Sequence, residues 1–86
     1  MTKGSFSATA TDSIVLAKDV YRAGVTFQLI SGGPVWIAFN EAAVDGEGIA
    51  ISEAANLAEI TDERARCDIH MKCAAGSVAT GGYQTL

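Results

Sequence analysis

The sequence predicts an all-β domain, a compact antiparallel β-sandwich or small jelly-roll-like barrel of about seven or eight short strands. Apolar residues recur at every second position in several segments, Gly-containing turns separate these segments by about 8 to 12 residues, and no long helical period is present. The 86 residues, 49% hydrophobic and 19% charged, suffice for one globular domain over 1–86 but not for two cores.

Residues 1–17 have the weakest strand pattern. Residues 5–10 and 13–17 are rich in Ser, Thr and β-branched residues, which favours two short strands separated by Thr11-Asp12. Chain ends are often poorly held, so residues 1–9 are also interpreted as an N-terminal arm that is mobile or exchanges with a neighbouring subunit.

Alternation is clear on both sides of a glycine turn. Val25, Phe27 and Leu29 share one face of a strand, and Val35–Phe39 repeats the pattern. Between them, Ser31-Gly32-Gly33-Pro34 is a strong turn signal. We therefore predict that the two segments form an antiparallel hairpin.

The next segments are a loop over 41–48 and a short strand over 49–51. Residues 52–60 are ambiguous, because Ser52 is a plausible helix cap while Ala55 stands where a capping box needs Glu or Gln. We favour a loop at 52–55 and a strand at 56–60.

The longest alternation lies near the C-terminus and predicts a strand over 65–74. Cys67, Ile69, Met71 and Cys73 share one face of this strand. Two cysteines six residues apart on one strand are separated by about 20 Å, too far for a disulfide, so both are expected to be free, buried thiols. A last strand over 77–86, bent at Gly81-Gly82, completes the domain.

The net charge of −4 and the isoelectric point near 4.6 disfavour nucleic acid and anionic membranes as partners. No apolar run approaches the about 20 residues of a membrane span, and the N-terminus has no signal-peptide pattern, which favours synthesis in the cytoplasm. Seven carboxylates and no Lys or Arg occur from Glu41 to Glu63. This segment is either a solvated acidic rim or a docking surface for a basic partner.

Reactive residues are too sparse to indicate an active centre. His70 is the single histidine, and strand geometry turns it away from Cys67 and Cys73, so the three cannot share a metal. The glycines form neither a P-loop nor a dinucleotide-binding motif. We expect no catalytic residue, no metal, no cofactor and no enzymatic activity.

Residues 25–51 carry a resemblance to a known class of protein. The Ser-Gly-Gly turn, Pro34–Asn40, the acidic Glu41-Ala42-Ala43-Val44 loop and Gly46-Glu47-Gly48-Ile49 resemble a small all-β module of tailed-bacteriophage virion proteins, and Asp68–Val78 is similar to its closing hairpin. Ala38 and Asn40 depart from this pattern, which more often has glycine there.

The resemblance implies a virion structural protein, most simply a capsid decoration (cement) protein that binds the major capsid protein and stabilises the head. Within that class, the alternative is a head-tail or tail accessory protein, and the partner is then another virion protein in place of the major capsid protein. Outside that class, the alternative is a small carbohydrate-binding module. Self-association is expected, with a homotrimer favoured.

The predicted contact residues are exposed aromatics and acidic loop residues. Trp36 lies opposite the inner face of its strand and is interpreted as cover over a neighbour, an interface anchor or a sugar-stacking platform. The full set is Phe6, Tyr21, Trp36, Glu41, Asp45, Glu47 and Tyr83.

Overall fold

The computed structural model describes residues 2–86 and contains two four-stranded antiparallel sheets. Sheet I has the strand order β1-β8-β3-β6 and sheet II the order β2-β7-β4-β5. The strands are β1 (Lys3–Ala8), β2 (Ser13–Leu16), β3 (Val25–Ser31), β4 (Val35–Phe39), β5 (Ile49–Ile51), β6 (Leu57–Ile60), β7 (Ile69–Cys73) and β8 (Ala79–Thr85), with a 3₁₀ helix over Glu63–Arg66. The predicted all-β fold is confirmed, and the arrangement is that of a small β-sandwich.

The core lies between the two sheets and is built by the alternating residues of the central strands. Phe27 from sheet I and Ile37, Ile69 and Met71 from sheet II are fully buried there. Phe6 meets Phe27 edge-on at 6.0 Å between ring centroids. Burial of each such side chain contributes about 1.5 to 3 kcal/mol, which makes period-two alternation the main source of stability.

The predicted hairpin of residues 25–29 and 35–39 is wrong. β3 pairs with β6 and β8 in sheet I, whereas β4 pairs with β5 and β7 in sheet II. The chain crosses between the sheets at 32–34, where Gly32 and Gly33 have positive φ and the Gly33-Pro34 bond is cis. A Cβ on Gly32 would overlap the Val78 carbonyl oxygen. Alternation places both strands against the same core but does not say whether they lie side by side or face to face.

The predicted strand over 65–74 is shorter than expected and begins at Ile69. Asp62 caps the preceding 3₁₀ helix, since its side chain accepts a hydrogen bond from the Arg64 backbone N–H at 2.9 Å. Cys67 therefore precedes the strand and is only half-buried, in contrast to the buried Cys73. Both cysteines are free thiols, so the error concerns the burial of Cys67.

The predictions for the remaining strands agree with the structure apart from small differences in length. Residues 57–60 form a strand, and β8 runs continuously through Gly81-Gly82. Gly81 faces the core, where a Cβ would overlap the Gln28 carbonyl oxygen and lie 2.5 Å from the Phe6 ring. A glycine is therefore required in β8 for β3 and Phe6 to approach it closely.

The N-terminal segment is an edge strand of sheet I. β1 pairs with β8 in register from Lys3 opposite Gln84 to Ala8 opposite Ala79, and both Phe6 and Ala8 are buried. Met1, the first residue of the predicted arm, lies outside the described residues. Exchange of β1 between copies stays a prediction.

Candidate functional site

A buried arginine fixes one end of the sandwich. The Arg22 guanidinium donates hydrogen bonds to the carbonyl oxygens of Ala65, of Ala17 at 3.2 Å and of Cys67 at 2.9 Å. A buried cation needs such partners, because an unsatisfied one is costly. Arg22 thus ties the 3₁₀ helix to the β2–β3 connection. Nothing in the sequence around Arg22 signals this role.

The 3₁₀ helix and the 40–48 loop enclose a groove of about 700 Å³ at the end of β4. We call it the acidic groove. Its large apolar lining residues, which we call the apolar wall, are Ile37, Phe39, Val44 and Ile49. Its acidic lining residues, which we call the acidic wall, are Glu41, Glu47 and Glu63, and Arg64 and Cys67 line the groove as well. The volume falls within the about 300 to 1,000 Å³ of typical ligand sites.

The 40–48 loop is held in place at several points. Asn40 has φ 59°; its backbone N–H donates to the Asp68 carbonyl oxygen at 2.9 Å, and its Oδ1 accepts from the Asp68 N–H at 3.0 Å. The Ala43 N–H donates to Asp12 Oδ1 at 2.7 Å. Gly48, with φ +80°, lets the loop return beside β4, since a Cβ there would lie 2.8 Å from the Ile37 carbonyl oxygen. The groove is therefore preformed by local anchors.

The charges of the acidic groove are unbalanced. Arg64 pairs with Asp62 at 2.9 Å and lies over the Phe39 ring at 5.4 Å. The hydrogen bond from the Arg64 side chain is the largest factor holding the pKa of Asp62 below its usual 3.8. Within residues 2–86, no cation pairs with the acidic wall of the groove. Its three glutamates therefore create a site of negative potential.

The outer face of sheet I carries a second, shallower groove of about 510 Å³. Ile30, Leu57 and Leu86 line it and are 75%, 58% and 62% exposed, respectively. Uncharged Thr26, Gln28, Gly82 and Gln84 form the centre of the groove, with Lys3 at one end. We call this surface the open face.

On the outer face of sheet II, two side chains of β7 each lie against a carboxylate. His70 Nδ1 lies 2.9 Å from Asp12 Oδ2, and Lys72 Nζ lies 2.9 Å from Asp45 Oδ1. Burial alone would raise the pKa of Asp12, but hydrogen bonds from the Ala43 N–H and His70, with the His70 and Lys72 charges, hold it below 3.8. Trp36 is half-buried in register with Ala50 and Lys72.

The predicted contact residues do not form one surface. Glu41 and Glu47 meet at the acidic groove, whereas Asp45 is engaged by Lys72. Tyr21, which is 91% exposed, and the half-buried Tyr83 line a third groove of about 330 Å³.

Phe6 is the predicted aromatic contact that the structure places differently from expectation, whereas Trp36 lies outside the core cluster as predicted. Trp36 lies on the opposite sheet from Tyr83, so the two do not share a stacking surface. Phe6 is a core residue, because the β1 register turns it inward against Phe27. As a contact residue it would act only through exchange of β1, in which its ring would enter a neighbour's core.

The sequence analysis did not identify the apolar residues of the open face, nor Arg64 and Cys67 as lining residues of the acidic groove. A signal was present for Ile30 and Leu57. Ile30 follows Leu29 and so lies on the outer face with Gln28, and Leu57 precedes the buried Ala58 in the same way. Large aliphatic residues on the solvent side of an alternating strand therefore indicate an exposed apolar face.

Three further results complete the description. Among residues 2–86, no three His, Cys, Asp or Glu side chains are grouped so as to hold a metal ion. In the same range, no helix has the length and hydropathy needed to span a membrane. Comparison of the chain with protein-family models, curated proteins and solved structures finds no match. Residues 2–86 form a small β-sandwich whose surface carries the acidic groove, the open face and the third, smaller groove.

Proposed function

We propose that this protein is a non-enzymatic structural protein of a tailed-bacteriophage virion, and that it acts as a capsid decoration (cement) protein. It self-associates, with a trimer favoured, and binds assembled major capsid protein. The sequence resemblance and the small β-sandwich support this proposal. A head-tail or tail accessory role is the alternative within the same class.

The observation that carries the proposal is the open face. Three large aliphatic side chains in one groove, each more than half exposed, are the kind of apolar patch that marks an association surface. Gln and Thr side chains between them supply hydrogen-bonding groups without a charge that must be desolvated. Copies of the protein contact one another through this face in the proposed oligomer.

The proposed mechanism is stabilisation by mass action. A protein that binds the assembled shell but not free capsid subunits lowers the free energy of the shell by RT ln(1 + [L]/Kd), about 2.7 kcal/mol per site at a hundredfold excess over Kd. Linkage of several copies in one oligomer raises the effective concentration of each remaining copy. Weak single contacts then suffice.

Purified virions of the phage or prophage whose genome carries this gene provide the test. Mass spectrometry is expected to find the protein in fixed ratio to the major capsid protein. Heads made without it are expected to lose DNA at lower temperature, and added purified protein is expected to restore their stability. Absence from virions, or heads of equal stability with no binding, would contradict the proposal.

The carbohydrate-binding alternative depends on an aromatic row, and Trp36 does not share a sheet with Tyr83. Specific binding on a glycan array that is lost in Trp36→Ala would favour that alternative over a virion role.

A further inference from the structure

We infer that the acidic groove binds a short, extended peptide segment of a partner protein in which arginine alternates with an aliphatic residue. The inference rests on the groove itself and stands whether or not the protein belongs to a virion. It assigns a ligand chemistry to a surface distinct from the open face.

The charge of the groove requires a basic ligand. Glu41, Glu47 and Glu63 face one cavity without a cation of their own, because Arg64 is already held by Asp62. Carboxylates crowded on one surface repel one another, and a ligand cation relieves that repulsion. Arginine suits this wall better than lysine, since its planar guanidinium can donate two parallel hydrogen bonds to a carboxylate.

The apolar wall requires an aliphatic group. Phe39, Val44 and Ile49 line the cavity, and Val44 is 48% exposed although it is a large aliphatic residue. A leucine or valine of the ligand would remove this surface from water, which contributes about 25 cal/mol for each Å² buried. In an extended peptide, successive side chains point in opposite directions, so a segment that alternates arginine with leucine offers a basic side and an aliphatic side to the groove.

The groove is also prepared for binding. The Asn40–Asp68 and Ala43–Asp12 hydrogen bonds hold the loop, and Arg22 holds the segment that follows the 3₁₀ helix. Little ordering entropy therefore remains to be lost when a ligand enters.

The probe is an acetylated and amidated heptapeptide in which arginine and leucine alternate, titrated into the full chain at low salt. We expect a Kd of about 100 μM that weakens as salt is added, because the contacts are partly exposed ion pairs. A matched peptide with glutamate in place of arginine is expected not to bind at about 1 mM.

Charge-matched variants locate the site. The double substitution Glu41→Gln with Glu47→Gln is expected to weaken binding at least about tenfold. Glu53→Gln with Glu59→Gln removes the same charge from exposed residues that do not line the groove, and is expected to change binding less than about twofold. Equal loss in both double variants would indicate attraction by net charge alone and would overturn the inference.

Cys67 offers an independent readout. It lines the groove and is half-buried, whereas Cys73 is buried. Bound peptide is expected to slow alkylation of Cys67 by iodoacetamide at least about threefold, in proportion to occupancy. Binding without protection of Cys67, or no binding at all at about 1 mM, would also overturn the inference. Failure of the virion test leaves these results unaffected, so the two proposals fail separately.

Discussion

The outer faces of the two sheets differ in what their side chains contact. On sheet II, the two ionisable residues of β7 each meet a carboxylate from a loop, His70 with Asp12 and Lys72 with Asp45. On sheet I, threonine and glutamine lie among aliphatic side chains that remain exposed. The same period-two alternation thus produces one face whose side chains hold the loops of the fold and another that is available for a partner.

Two adjacent glycines of β8 lie on opposite sides of sheet I, and the largest loss of stability is expected when the inner one is replaced. Gly81→Ala is expected to lower the free energy of unfolding by about 3 kcal/mol, because its Cβ would overlap the Gln28 carbonyl oxygen and the Phe6 ring. Urea denaturation provides the measurement.

Gly82→Ala is the matched control for that substitution. Its Cβ would lie on the open face, 3.5 Å from the Gly4 carbonyl oxygen, which is an ordinary contact. We expect a change within about 0.5 kcal/mol. If the two alanine variants were equally stable, the assignment of inner and outer sides to β8 would be wrong.

Asp12→Ala probes the structural role of the face of sheet II. It removes the acceptor for the Ala43 N–H and the partner of His70, so we expect a loss of about 2 kcal/mol at pH 7. The folded pKa of Asp12 lies below 3.8, which means that the carboxylate stabilises the fold above the unfolded pKa.

The lowered pKa of Asp12 predicts how the stability difference between the wild type and the variant depends on pH. The difference between the wild type and Asp12→Ala is expected to be full above about pH 5 and to shrink as the pH falls through the folded pKa of Asp12. Chemical denaturation from pH 3 to 7 measures it. A difference that stays constant over this range would show that the carboxylate charge is not involved.

The sequence predicted the strands better than their arrangement. Alternation at Val25–Leu29 and Val35–Phe39 identifies buried faces, because burial depends on local spacing. Sheet membership depends on contacts between residues far apart in the chain, such as β3 with β8, and local spacing does not contain that information. The 3₁₀ helix before Ile69 was missed because the Asp62 cap overrides the alternation that includes Cys67.

The candidate site was predicted only in part, because local sequence does not contain the contacts between residues far apart in the chain. The acidic segment indicated Glu41 and Glu47, which are close in sequence and meet in one groove. It did not indicate that Asp45 would be neutralised by Lys72, which is far from it in the chain. The open face combines Ile30, Leu57 and Leu86 from three parts of the chain, and only the sheet topology brings them together.

A smaller effect on stability, with a larger one on assembly, is expected at the open face. The double variant Ile30→Ser with Leu57→Ser is expected to change the free energy of unfolding by less than about 1 kcal/mol, because both side chains are mostly exposed. Self-association is expected to weaken at least about tenfold when followed by sedimentation equilibrium.

Val20→Ser, a substitution of another exposed aliphatic residue outside this groove, serves as the control for the double variant. Loss of association in the control, or its persistence in the double variant, would remove the open face as the contact between copies.

The smallest loss of stability is expected for the more exposed of the two pairings on sheet II, which joins Lys72 to Asp45. Lys72→Met is expected to cost no more than about 0.5 kcal/mol, since Asp45 is about half exposed and such pairs contribute little in water. Methionine also keeps an unbranched apolar side chain at the position opposite Trp36 in β4. The measurement compares the loss in free energy of unfolding of Lys72→Met with that of Asp12→Ala at two salt concentrations. If the cost of Lys72→Met reached that of Asp12→Ala, the pairing at Asp45 would hold the 40–48 loop as firmly as Asp12 does, and it would join the anchors at Asn40 and Ala43.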